Sequence, residues 1–127
     1  MAELIQISGV AAIMLGVKDV AAAATFYTQK LGLKVLMQEP AICLLQCGPV
    51  MIGLNRGLAQ TAPNLVGATE LVLRVPSVRG ARQALGAEGV SFVSEPHQIT
   101  PTDWAAHFRD VDGHLLSIFG PEGTALT

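Results

Sequence analysis

Two stretches of this chain repeat one order of element types, and that repetition narrows its possible folds more than any other feature. The first, IMLGVKDVAAAATFYTQKLGLKVLMQEP, begins at Ile13; the second, LVLRVPSVRGARQALGAEGVSFVSEP, begins at Leu71. In alignment Leu15 meets Leu73, Val17 meets Val75 and Val20 meets Val78, and beyond the helical part Glu39-Pro40 meets Glu95-Pro96. Each half opens with an apolar strand, residues 11–17 and 69–75. A helix follows, residues 20–31 and 78–87, with Asp19 and Ser77 in the N-cap places and Gly32 and Gly89 where helix ends favour glycine. Three short strands come next: 34–38, 42–46 and 50–55 in the first half, 91–94, 105–109 and 115–119 in the second. Cys47-Gly48-Pro49 and Asp112-Gly113 supply turn chemistry between the last two strands of each half.

The expected fold class is therefore α+β, a single domain over 1–127 made of two βαβββ modules. Module one runs from about 9 to 56, a linker from about 57 to 67, and module two from about 68 to 121. A four-stranded sheet with one helix on it buries one face under that helix. Its other face stays open, so two such halves form a cupped mixed sheet with helices on the outside.

Composition agrees with a filled interior: half the residues are apolar and 14% are charged. A net charge of −2 with eight Lys and Arg gives no cationic face for a phosphate backbone, which argues against nucleic acid as a partner. Mean hydropathy is +0.46, yet the longest apolar run, 9–17, is about half what a bilayer helix requires, so no membrane association is expected. The surplus apolar surface points instead to a pocket or a subunit interface. Cys43 and Cys47 share a strand face but lie about 13 Å apart, too far for a disulfide or a shared metal. Reduced thiols and a first turn-length stretch with Glu3 but no Lys or Arg lead to a cytoplasmic expectation.

The second half ends in Trp104-Ala105-Ala106-His107-Phe108-Arg109-Asp110-Val111-Asp112-Gly113-His114. A βαβββ repeat carrying this run resembles the vicinal oxygen chelate superfamily, which includes glyoxalase I, extradiol dioxygenases, fosfomycin-modifying enzymes and bleomycin-resistance proteins. The family run is Trp-Gly or Tyr-Gly, a strand, then Phe-x-Asp-Pro-Asp-Gly-Asn/His; this chain has Ala105 for the glycine and Val111 for the proline. The resemblance implies metal donors on the first and last strand of each half. Counting back from the helix caps places the first-strand positions at Ala12 and Glu70; the last-strand positions fall at Ser117 and near Ile52, with Gly53 its neighbour. Only Glu70 has a side chain that commonly binds a divalent ion, and one carboxylate does not hold one. No metal at these positions and no cofactor are expected.

The remaining candidates follow from strand parity and the resemblance. His107 and Arg109 share one strand face, Ala106 and Phe108 the other. With Phe108 beneath the helix, His107 turns toward the cup, and Glu70, Ser117 and His107 line up as a polar row across its floor. Glu70 and His107 are the candidate base and acid: a desolvated Glu70 would have a raised pKa and accept a proton. Trp104, whose counterpart in the resembling family often borders the pocket, Ser117, Arg109 and Met51 are candidate ligand contacts. His114 is expected to hydrogen-bond the turn, and His97 to lie in an exposed loop.

Three functions are consistent with this pattern. The first is a metal-independent protein of the bleomycin-resistance kind, binding a small apolar or aromatic molecule. The second is a lyase, isomerase or dioxygenase using Glu70 as base or within a displaced metal site. The third is a degenerate domain that associates with a partner through residues 4–17 and the Ala-rich helix. The resemblance also implies a homodimer.

Overall fold

A computed structural model describes residues 6, 10–61 and 69–126. Module one contains β1 (Ala12–Gly16), α1 (Val20–Thr25), β2 (Lys34–Glu39), β3 (Ile42–Cys47) and β4 (Val50–Asn55). A short helix, α2 (Arg56–Thr61), follows. Module two contains β5 (Glu70–Arg74), α3 (Val78–Ala87), β6 (Phe92–Gln98), β7 (Trp104–Arg109) and β8 (Leu115–Gly120). The two sheets have the same order, β1-β4-β3-β2 and β5-β8-β7-β6, with the first strand parallel to the last and the other pairings antiparallel. They remain two open four-stranded sheets, and the βαβββ repeat holds.

Both helices begin as the sequence predicts. Asp19 accepts the Ala22 N–H at 3.1 Å and Ser77 accepts the Gly80 N–H at 3.0 Å, each satisfying a donor that has no partner within its helix. Past their ends Gly32 and Gly89 take positive φ, 74° and 86°, a conformation that costs glycine nothing. After Thr25 the first helix widens into a π-helical turn, Phe26–Lys30, in which the neighbours Phe26 and Tyr27 are both buried. No helix among the described residues is long and apolar enough to cross a membrane.

The core lies between each sheet and its helix, and the cores meet at the module boundary. Leu15, Leu45, Ile52 and Leu54 fill the first; Leu71, Phe108, Leu116 and Ile118 fill the second. Phe108 packs inward as expected, with the Phe26 and Phe92 rings at 6.5 and 5.2 Å. Cys43 is buried and Cys47 half-buried, both as free thiols, and burial pushes the Cys43 thiol up.

Polar contacts among the described residues join the modules. Tyr27 donates its hydroxyl to Asp110 Oδ2 at 2.7 Å, and the Lys18 N–H donates to Asp112 Oδ1 at 2.8 Å. His114 Nε2 donates to the Gly16 carbonyl at 2.7 Å, and Lys30 Nζ donates to the Glu88 carbonyl. His114 thus does more than the sequence suggests. Its backbone N–H meets Asp110 Oδ1 in the turn at 2.9 Å, while its buried ring reaches the other module.

Two further expectations change. The segment read as linker opens with a helix, because Asn55 accepts the Leu58 N–H at 2.9 Å and starts a turn; positions 62–67 of that linker lie outside the described residues. The same holds for most of the 4–9 stretch considered as a contact surface. His97 is not in a loop: β6 continues through Pro96 to Gln98. It is an edge strand with register shifts on either side of Ser94, where a residue lacking an N–H is tolerated.

Candidate functional site

In module two the central strand pairings set the site. Val72, Ser117, His107 and Ser94 stand in register across β5, β8, β7 and β6, so they share one sheet face. On the opposite face of β7 lie Ala106 and Phe108, both fully buried. The helix-free face therefore carries the predicted polar row. His107 extends across β8 toward β5, where its Nε2 meets Glu70 Oε2 at 3.1 Å. Ser117, only 2% exposed, lies in the strand between them. Glu70 keeps 38% of its side-chain surface and His107 24%.

Two residues that sequence reasoning missed complete the row. Ser94 Oγ lies 2.8 Å from His107 Nδ1 and accepts the His107 backbone N–H at 3.0 Å. The His97 ring stacks on the His107 ring at 5.5 Å with an interplanar angle of 21°, and its Nδ1 donates to the Glu95 carbonyl at 2.9 Å. The register shifts of β6 break its alternation, so parity counting from the sequence could not assign either side chain to a face.

The other candidates lie apart from the row. Trp104 shares the parity of Ala106 and Phe108, packs against the core and lies beneath the Arg79 guanidinium at 5.4 Å. The expectation that it borders the cup is corrected: regular β7–β8 pairing puts it on the helix side. Arg109 shares the His107 face but donates Nη1 to the Gly113 carbonyl at 3.0 Å, which ties it to the turn. Met51, half-buried, belongs to the sheet of module one and is in register with Ala12.

Register also decides which position of β4 corresponds to Ser117. Glu70 pairs with Leu115, two residues before Ser117; Ala12 pairs with Met51, two residues before Gly53. The matching position is Gly53, while Ile52 is 2% exposed and belongs to the core. A Cβ built on Gly53 would lie 2.2 Å from Met14 Sδ, so the Met14 thioether occupies the space where a side chain would project. The four positions then read alanine, glycine beneath a thioether, serine, and a glutamate held by a histidine. No group of three His, Cys, Asp or Glu among the described residues is arranged to hold a metal ion. This donor set does not fit a divalent cation.

An open groove of about 800 Å³ runs between the modules along the free edge of β5. Its walls are apolar, with Leu31, Leu33 and Val50 from module one and Leu71, Leu73 and Leu85 from module two. Lys30, Glu70 and Arg74 are the ionisable side chains bordering it besides the half-buried Cys47 thiol. Of the residues singled out from the sequence, Glu70 alone is shared by groove and row. The groove thus joins apolar walls to a few ionisable groups at its border.

The model of the Glyoxalase/Bleomycin resistance protein/Dioxygenase superfamily matches residues 9–118. The chain belongs to this superfamily. Among solved structures, this superfamily member is similar to an antibiotic-binding protein from Streptomyces sp. CB03234 (23% identity, TM-score 0.78, covering 93% of this chain and 99% of that one). It is also similar to a lactoylglutathione lyase from Agrobacterium tumefaciens (18% identity, TM-score 0.75, covering 89% and 93%). An integron cassette protein of V. Cholerae is 25% identical, with a TM-score of 0.73 and coverage of 92% and 98%. No curated protein matches the chain in sequence. As a superfamily member it keeps the paired βαβββ scaffold.

Proposed function

We propose that this chain is a metal-independent small-molecule-binding protein that holds an apolar or aromatic ligand in the open hollow beside Glu70. The observation that carries this reading is the donor set: Ala12, Gly53 under the Met14 thioether, and Ser117 offer nothing to a cation. The apolar groove supplies the volume a ligand needs, and the Glu70–His107 pair supplies orientation. The likeness to an antibiotic-binding protein is in keeping with it. The protein acts as a cytoplasmic homodimer in this reading, without nucleic acid, membrane or cofactor.

A thermal-shift screen of planar aromatic compounds tests it. A ligand at about 100 times its Kd stabilises the fold by about 2.7 kcal/mol and raises Tm accordingly. Silence across a broad aromatic library, or stoichiometric transition metal in protein purified without a histidine tag, overturns the proposal.

The contact between Glu70 and His107 favours a second reading, a lyase, isomerase or dioxygenase-type enzyme with Glu70 as proton acceptor. Glu70→Gln separates the two. It abolishes turnover of an enzyme substrate, whereas in a binder it changes affinity alone.

A further inference from the structure

We infer that the ligand carries a hydrogen-bond donor, a phenol hydroxyl or a protonated amine on a planar aromatic frame, and that the Glu70 carboxylate receives it. This rests on the small-molecule-binding reading and names the ligand class. The argument is an accounting of donors and acceptors in the polar row.

A carboxylate only accepts, so the 3.1 Å contact from Glu70 Oε2 puts a proton on His107 Nε2. The other ring nitrogen, Nδ1, faces Ser94 Oγ at 2.8 Å. With a neutral imidazole, the Ser94 hydroxyl donates to Nδ1; with an imidazolium, Nδ1–H donates to Ser94 Oγ. In both states Ser94 Oγ also accepts the His107 backbone N–H. Both His107 nitrogens are thus committed whatever the ring's charge, and the stacked His97 ring covers one of its faces. His107 has no hydrogen bond left to offer a ligand.

Glu70 has. Two carboxylate oxygens provide about four acceptor sites, and His107 uses one. The carboxylate stays partly exposed, and Glu70 is among the residues that border the apolar groove. The groove's basic residues are differently placed. Lys30 already donates to the Glu88 carbonyl, and Arg74, about 13 Å further along β5, lies over the Phe119 ring at 5.6 Å. A ligand reaching Glu70 through apolar walls therefore meets an acceptor. A donor on the ligand satisfies that acceptor; an ether leaves it unpaired, and an anion is repelled.

Calorimetric titration of the native protein with four naphthalene probes of nearly equal shape tests this: 1-naphthol, 1-naphthylmethylammonium, 1-methoxynaphthalene and 1-naphthoate. The naphthol and the ammonium are expected to bind at least about tenfold more tightly than the ether, and the carboxylate most weakly. In Glu70→Leu the four affinities converge. Glu70→Gln keeps a carbonyl acceptor and therefore the naphthol preference, but loses the preference for the ammonium. If ether and naphthol bind equally, or naphthoate binds most tightly through Arg74, the inference fails while the binding reading stands. If none of the four binds, both fall.

Discussion

Tyr27 donates its hydroxyl to Asp110 across the module boundary from a fully buried position. Burial, and then the neighbouring Asp110 carboxylate, push its hydroxyl well above the usual phenol range. The folded value exceeds the unfolded one, so the neutral phenol is what folding favours. Its contribution is complete below about pH 10 and drains away above it, because the unfolded chain ionises first. Stability of the native chain is expected to fall above that pH more steeply than that of Tyr27→Phe, by up to about 1.4 kcal/mol per pH unit. At neutral pH, Tyr27→Phe leaves Asp110 Oδ2 without its phenol and costs about 1–3 kcal/mol in urea unfolding. Equal alkaline slopes for the two proteins would show that the buried hydroxyl does not carry the effect.

The elements were largely legible because each half repeats a cap, a helix, a glycine stop and three strands. Asp19 and Ser77 could be read as caps from a local rule, and the structure finds both bonded. Asp19→Ala is expected to lower stability by about 1 kcal/mol, measured by thermal or urea unfolding; no loss would mean that packing of the Ala-rich helix suffices without its cap. The polar row was legible in part. His107 could be placed opposite Phe108 by alternation, and Glu70 by counting back from Ser77. Trp104 could have been placed by that same alternation, since it has the parity of Phe108; the family likeness pointed it the other way, and the regular β7–β8 register corrects it. Ser94 and His97 were beyond reach. They lie on a strand whose irregular pairing destroys the two-residue period on which any face assignment depends.

At the scale of the molecule, the modules are tied by side chains rather than by a shared sheet. The buried contacts among them predict one cooperative transition. Trp104, the only tryptophan, reports on module two, and far-UV circular dichroism reports on both. The two urea curves are expected to coincide, whereas a separate earlier phase in the dichroism would show module one unfolding alone. Met14, Met37 and Val72 leave apolar surface on the helix-free faces, at 36%, 36% and 55% exposure. A second copy that covers them is the expected homodimer, with a mass by analytical ultracentrifugation of twice the 13.3 kDa of one chain. A monomer at tens of micromolar removes the dimer from the proposal.

The thioether lying over Gly53 also bears on what descendants of this chain can become. A side chain installed at Gly53 requires the Met14 thioether to swing aside, so a carboxylate or imidazole introduced there competes with Met14 for one space. Because the atoms in the way are the end of a flexible side chain, Met14 can turn aside, and a shorter residue at 14 eases the change. Positions 14 and 53 are thereby coupled, and the pair rather than either residue alone decides what projects from this part of the sheet.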